Sequence, residues 1–206
     1  MLTRLSDAAE LYEEIQDNKE ARKAYEEAAR WYEDDNAGAL ANKLSLKAGD
    51  LAALDGEYVP AIQHYEHVAK QSISNNLMRF SVSIYETLRC WIISSHGLCA
   101  IDDEANDSVI LQVKDYLLRA GICHLAHDII GAKRAIESYR ELDPGFAQTR
   151  EFQLLNDSVE AMEAGDSEMF AEKLYRYDQL SPLNPWFTSM LLRCVYLLKF
   201  GGGTNT

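Results

Sequence analysis

Positive charge is scarce in this chain: 20 Lys and Arg stand against 33 Asp and Glu in 206 residues, a formal net charge of −13. A general nucleic-acid binder needs a basic surface to neutralise phosphates, so that class is excluded. Proline occurs four times, β-branched residues rarely cluster, and no stretch sustains the apolar–polar alternation of a strand, which excludes a sheet-based fold. The longest apolar runs, such as Cys90 to Ile93, fall far short of the roughly 20 residues that cross a bilayer. Four cysteines (Cys90, Cys99, Cys123, Cys194) lack CxxC spacing and follow no signal peptide, so they read as reduced thiols of a soluble intracellular protein. Chemistry-bearing motifs are missing as well. There is no Gly-rich phosphate loop, nucleophile motif or catalytic carboxylate pair, so no enzyme is expected. Asp102-Asp103-Glu104 lacks the glycine and spaced ligands of a calcium loop. His64/His67 and His124/His127 are spaced i, i+3, but without carboxylate or cysteine partners at metal spacing they read as structural or surface residues. Neither a cofactor nor a metal is expected.

What the chain does have is helical periodicity. The stretch Ala37 to Lys70 reads as a complete hairpin of two helices. Leu40, Leu44, Leu51 and Leu54, interspersed with Ala41, Ala48 and Ala52, recur at the three- and four-residue steps that share a helical face. Asp55-Gly56 ends that helix, because glycine accepts the left-handed conformation at a C-terminus. Ala61, Ile62, Tyr65, Val68 and Ala69 form the buried stripe of the second helix, and Pro60 fits its first turn, where amides have no intrahelical partner to lose. Small alanines with a tyrosine filling the groove are tetratricopeptide-like logic.

The rest of the chain repeats it. Helices are expected over Met1 to Ile15, Lys19 to Asp34 (capped by Asp17 with Glu20), Lys114 to His127, Ile129 to Leu142, Phe146 to Ala164, Ser167 to Leu180 and Trp186 to about Phe200. Gly165-Asp166 is a stop followed by a cap, and Asn184-Pro185 a cap followed by the first helical residue. The opening helix has no polar-faced capping unit before it, as though upstream repeats were missing. Tyr25, Tyr65, Tyr139 and Tyr177 mark equivalent places, expected in the core. Tyr25 to Tyr65 spans 40 residues and Tyr139 to Tyr177 spans 38, close to one paired-helix repeat, but Tyr65 to Tyr139 spans 74.

The excess points to an insertion, placed at Val82 to Gln112, whose texture differs from its surroundings: two cysteines, Trp91 beside Ile92 and Ile93, then an acidic patch. Its first half is expected to extend the preceding helix and its second half to form a surface loop. The domains expected are then 1–81 (helical hairpins), 82–112 (insertion), 113–200 (hairpins and a terminal bundle) and a floppy tail at 201–206.

LANKLSLKAGDLAALDGEYVPAIQHYEHVAK, KDYLLRAGICHLAHD and TRE…LYRYDQLSPLNPWFTSMLLR, in this order, strongly resemble the soluble NSF attachment protein family over about Glu10 to Arg193. That resemblance implies an all-α fold, a right-handed α-α superhelix of tetratricopeptide-like hairpins ending in a helical bundle. It further implies a non-catalytic adaptor, cytoplasmic and peripheral on membranes through its partners, which lays its concave face on the SNARE four-helix bundle and recruits the AAA+ ATPase NSF to unwind it. No nucleic-acid partner is implied. Matched residue by residue, Lys43, Lys47, Arg79 and Lys114 fall at SNARE-facing positions, and Asp128, Glu160 and Glu163 at NSF-facing ones, with Ala164 where the family has a further acid. A generic tetratricopeptide-like scaffold for another peptide is the alternative. The family's front hairpins, membrane-touching loop and acidic tail have no counterpart here, so weak stimulation of disassembly is expected. Joining Ser81 to Val113-Lys114 restores the family's sequence. Val82-Ser83 can be encoded as GTAAGT, Ala105-Asn106 can contain CTAAC and Gln112 can be CAG, the signals of a short intron read in frame. Sequencing of mature message is expected to show these codons absent at normal abundance; their routine presence would refute the intron.

Overall fold

The computed structural model describes the backbone at residues 2–93 and 104–200 and side chains at 6–75 and 113–200. The regular elements among the described residues are all helices: α1 (Leu2–Glu14), α2 (Asn18–Asp34), α3 (Gly38–Leu54), α4 (Tyr58–Ile93), α5 (Glu104–His127), α6 (Ile129–Leu142), α7 (Arg150–Ala164), α8 (Ser167–Leu180) and α9 (Pro185–Phe200), with a 3₁₀ turn at Phe146–Gln148. Each helix packs on the next in the chain through α5, and α6, α7 and α8 continue the succession.

Local chemistry explains the boundaries. Asp17 accepts from the Glu20 amide, Asp128 from those of Ile130 and Gly131, and Asp166 from those of Glu168 and Met169, each meeting amides that a helix N-terminus leaves open. Asn184 does the same for Phe187 at 3.0 Å, with Pro185 as the first helical residue. Gly56 (φ 82°) and Gly165 (φ 66°) take the left-handed conformation after α3 and α7. One expected helix is broken: Phe146–Ala164 divides because Thr149 is extended (ψ 160°), and its side chain accepts from the Phe152 amide to start α7 afresh. The interval 82–112 differs from expectation in one respect. Residues 82–93 extend α4, as read from the sequence, but residues 104–112 are helical and open α5 instead of forming a loop; residues 94–103 lie outside the described residues.

The core forms two clusters that meet at α3. One gathers Ala9, Ala21, Tyr25, Ala28, Ala29, Leu44, Ala48 and Leu51; the other runs from Ala52 through α4–α8 to Cys194 on α9. On α3 the buried stripe is centred on Ala41, Leu44, Ala48, Leu51 and Ala52, whereas Leu40 and Leu54 are 50% and 37% exposed. Counting every leucine as buried overstated that stripe's width. Close helix approach requires glycine at position 121, where a Cβ would come within 2.6 Å of Leu155, itself fully buried on α7.

The four repeat tyrosines do more than fill grooves. Tyr25, Tyr65 and Tyr139 are buried and Tyr177 half-buried, and each hydroxyl donates to a carboxylate: Tyr25 to Glu13 at 2.8 Å, Tyr65 to Asp50 at 2.6 Å, Tyr139 to Glu66 at 2.9 Å and Tyr177 to Glu151 at 3.5 Å. Three of these bonds close a hairpin; the one from Tyr139 reaches back from α6 to α4 and ties one hairpin to the next. Burial, together with the facing carboxylate, pushes the Tyr177 phenol up to about 12 and those of Tyr65 and Tyr139 well above their ordinary value, so all three remain donors.

Gly121→Ala is expected to destabilise the protein in urea titrations, because overpacking at Leu155 costs about 1–3 kcal/mol against roughly 1 kcal/mol gained in helix propensity. Gly38→Ala, with nothing within 4 Å of the new methyl, is expected to be neutral or stabilising.

Candidate functional site

Two charged surfaces stand out from the acidic background. The first is the outer face of α3, where Leu40, Lys43, Lys47 and Leu54 lie at helical spacing away from the alanine stripe. Lys43 is exposed and, among the described residues, has no ion-pair partner. Lys47 is half-buried and committed inward: its ammonium lies 3.2 Å from Glu10 Oε1, 3.1 Å from the Tyr25 hydroxyl and 5.0 Å from the centre of the Tyr25 ring. Burial alone would lower its pKa, but the hydrogen bonds to Tyr25 and Glu10 outweigh it and hold Lys47 above its ordinary value. It is cationic throughout the neutral range. Lys114 is half-buried on α5, two turns before Gly121 on the strip that faces Leu155 of α7. The structure joins Lys43 to Lys47 one turn apart on α3, while Lys114 stands on a different helix that has little direct contact with α3. Arg79 lies outside the residues whose side chains are described.

The second surface is acidic. Lys133, in the second turn of α6, pairs with Glu163 in the last turn of α7, which sets Asp128 and Glu163 at the same end of the two antiparallel helices. Glu160 lies one turn back on α7, its side chain 68% exposed, with Lys173 of α8 at 3.9 Å. Asp166 and Glu168, opening α8, add charge at this end. The three expected acids are therefore neighbours, yet unequal. Asp128 is committed to the α6 amides and Glu163 to Lys133, which leaves Glu160 the most available.

A model of the family described as soluble NSF attachment protein matches residues 3–91 and 100–195. The chain belongs to that family. Among curated relatives it is 44% identical over 189 residues to a probable vesicular-fusion protein sec17 homolog of Schizosaccharomyces pombe, covering 91% of this chain and 55% of that protein. The corresponding protein of Neurospora crassa is 43% identical, with 90% and 53% covered, and human alpha-soluble NSF attachment protein is 32% identical, with 90% and 52% covered. The chain spans about half the length of the curated relatives it matches. The family match enters the 82–112 interval from both sides and leaves residues 92–99 between its two parts. No described helix is long and apolar enough to cross a membrane.

Within this member of the soluble NSF attachment protein family, two features escaped the sequence reading. Three of the four histidines singled out do have carboxylate neighbours, supplied by other helices: His64 lies 3.3 Å from Glu26, His67 3.9 Å from Glu33 and His124 3.4 Å from Glu66. They bridge α4 to α2 and α5 to α4, and no set of three or more possible ligands gathers around a point among the described residues. His64, His67, Glu26 and Glu33 line one cleft of about 270 Å³ with Arg30 and Gln63. The other feature is Arg119. Its Nη1 lies 2.6 Å from Asp50 and its Nε 2.9 Å from Asp115, and its guanidinium stacks 4.8 Å from the Trp186 ring and 5.3 Å from that of Phe187. Burial pushes the Asp50 carboxyl up, against the pull of Arg119 and of the Tyr65 hydroxyl. Partners 69 residues apart cannot be paired from periodicity alone.

Glu66 generates an acid-sensitivity expectation. Hydrogen bonds from His124, Lys70 and Tyr139 outweigh its burial and hold its carboxyl down at about 2. A depressed folded pKa contributes stability that is complete above the unfolded value and is lost as pH falls toward the folded one. Urea titrations are expected to show stability declining from about pH 5 toward pH 2, with about 2 kcal/mol of the decline due to this partly exposed group. An NMR titration placing Glu66 near 4.5 would contradict the assignment.

Proposed function

We propose that this chain works as a non-catalytic adaptor that binds an assembled SNARE four-helix bundle through the outer face of α3 and presents the acidic end of α6–α8 to an NSF-type AAA+ ATPase, for SNARE disassembly in vesicle fusion and intracellular protein transport. The observation that carries the reading is the contrast on α3: on a protein of net charge −13, two lysines one turn apart lie between two exposed leucines. Such a face attracts an acidic helical rod at long range and offers apolar contact at short range, giving orientation and a salt-sensitive association rate. Arg79 and Lys114 are proposed as further bundle contacts supplied by other helices. At the acidic end of α6–α8, Glu160 is proposed as the leading contact to basic residues of the ATPase, supported by Asp128 and Glu163. The protein would then act from the cytoplasm and reach membranes through its partners.

Lys43→Glu is the cleaner test, because Lys47 also packs on Tyr25. Binding to a purified, assembled SNARE bundle at low salt is expected to weaken about tenfold in the single variant and further in Lys43→Glu/Lys47→Glu, with the difference shrinking as salt screens it. Unchanged binding in the double variant would favour a scaffold for some other peptide. Glu160→Lys is expected to leave bundle binding within about twofold while reducing ATPase recruitment about tenfold, an asymmetry that a general folding defect would not produce.

A further inference from the structure

We propose that Arg119 is a positioning residue that fastens α9 to the α3–α4 hairpin and thereby fixes the angle between the outer face of α3 and the acidic end of α6–α8. What those two surfaces bind rests on the adaptor reading; the fastening itself does not.

The guanidinium is held on every side by a different helix. Asp50 comes from α3 and Asp115 from the preceding turn of α5, and they bond Nη1 and Nε; Trp186 and Phe187, opening α9, present the rings over which the guanidinium carbon lies, at 4.8 and 5.3 Å from their centres. A planar fork that meets two carboxylates while its carbon lies over two aromatic rings is an arrangement arginine makes and lysine does not. The fourth helix enters through Tyr65 of α4, which donates to the same Asp50 oxygen at 2.6 Å and meets the Trp186 ring edge-on at 5.8 Å. Trp186 is thus held between Arg119 and Tyr65. Its indole nitrogen is buried without a hydrogen-bond partner, so stacking and not polar anchoring holds the ring there.

The C-terminal half of α9 is attached to α3 by a second arginine. Arg193 donates to the carbonyls of Ala53, at 2.8 Å, and Leu54, the acceptors that the end of α3 leaves open. Helix α9 packs on α3, α5 and α8, whereas α3 and α5 have little direct contact. The α3 face and the acidic end consequently sit on two parts of the stack that share α4–α5 packing and this strap. If the Arg119 junction opens, α9 keeps only the Arg193 attachment to the end of α3, and the two parts can change their angle.

Hydrogen–deuterium exchange on the intact chain tests the fastening without any partner. In Arg119→Met, which keeps length and ring contact but removes the fork, amides of residues 186–198 are expected to exchange about tenfold faster, with those of α1 and α2 unchanged. Arg119→Lys is expected to resemble Arg119→Met, since charge alone cannot rebuild the junction. Trp186→Leu, with both ion pairs intact, is expected to release α9 similarly, and Asp50→Asn/Arg119→Met removes the stranded carboxylate should the single variant fold poorly. Retained α9 protection in these variants, rescue by lysine, or an equal loss of protection in every helix would overturn the proposal. With the SNARE bundle and the ATPase added, the junction variants are expected to keep bundle binding within about twofold while ternary assembly drops about tenfold. Wild-type chain that binds no bundle would sink the adaptor reading and leave the exchange result to decide the fastening.

Discussion

A phenol ring buried between two helices must satisfy its hydroxyl, and in this stack it does so on a carboxylate each time. Tyr25, Tyr65, Tyr139 and Tyr177 recur at equivalent places and donate to Glu13, Asp50, Glu66 and Glu151. The contact is mutual, since a partly buried carboxylate is costly unless donors meet it. Removing either partner strands the other, which makes the pair specific for one packing of the helices where an apolar contact would tolerate sliding. From the Tyr–acid pairs further polar contacts branch: Lys47 reaches Tyr25, Arg119 reaches Asp50, and His124 with Lys70 reaches Glu66.

These branches decide which charges are available to a partner. Lys47 is spoken for by Glu10 and Tyr25, so its charge contributes to the field of the α3 face while its position serves the first hairpin. Lys43, one turn away and exposed, contributes field without that commitment. At the acidic end the same division separates Glu160 from Asp128 and Glu163. A residue can therefore sit where a family resemblance places a contact and still have a structural occupation, and substitutions there combine both effects.

Most helices were legible because their limits are set by neighbours in the chain. Asp17, Asp55-Gly56, Gly165-Asp166 and Asn184-Pro185 act within three or four residues, the range over which caps work, and the structure has them where the sequence suggested. Thr149 was missed because an apolar pattern runs across it, and only its extended backbone reveals the break. Leu40 and Leu54 were placed by spacing on the face of Leu44 and Leu51; a stripe built on alanine is narrow, and leucines at its margin stay outside. Lys43 and Lys47 were legible as a pair, being on one helix. The occupations of Lys47 and Glu163, the histidine–glutamate bridges and the Arg119 contacts with Asp50 and Trp186 were not, because each partner is fixed by stacking instead of by sequence spacing; the Asp128 cap is local, and the sequence reading passed over it.

The central claim is that a hydroxyl–carboxylate bond reaching between hairpins holds the stack in register. A double-mutant cycle on Tyr139 and Glu66, which face each other across 73 residues of sequence at 2.9 Å, tests it most directly. Unfolding free energies of Tyr139→Phe, Glu66→Gln and the double variant are predicted to give a coupling of about 1.5–3 kcal/mol, the range for a hydrogen bond to a charged group. A coupling indistinguishable from zero would mean that ring packing alone sets the register, and would contradict the account.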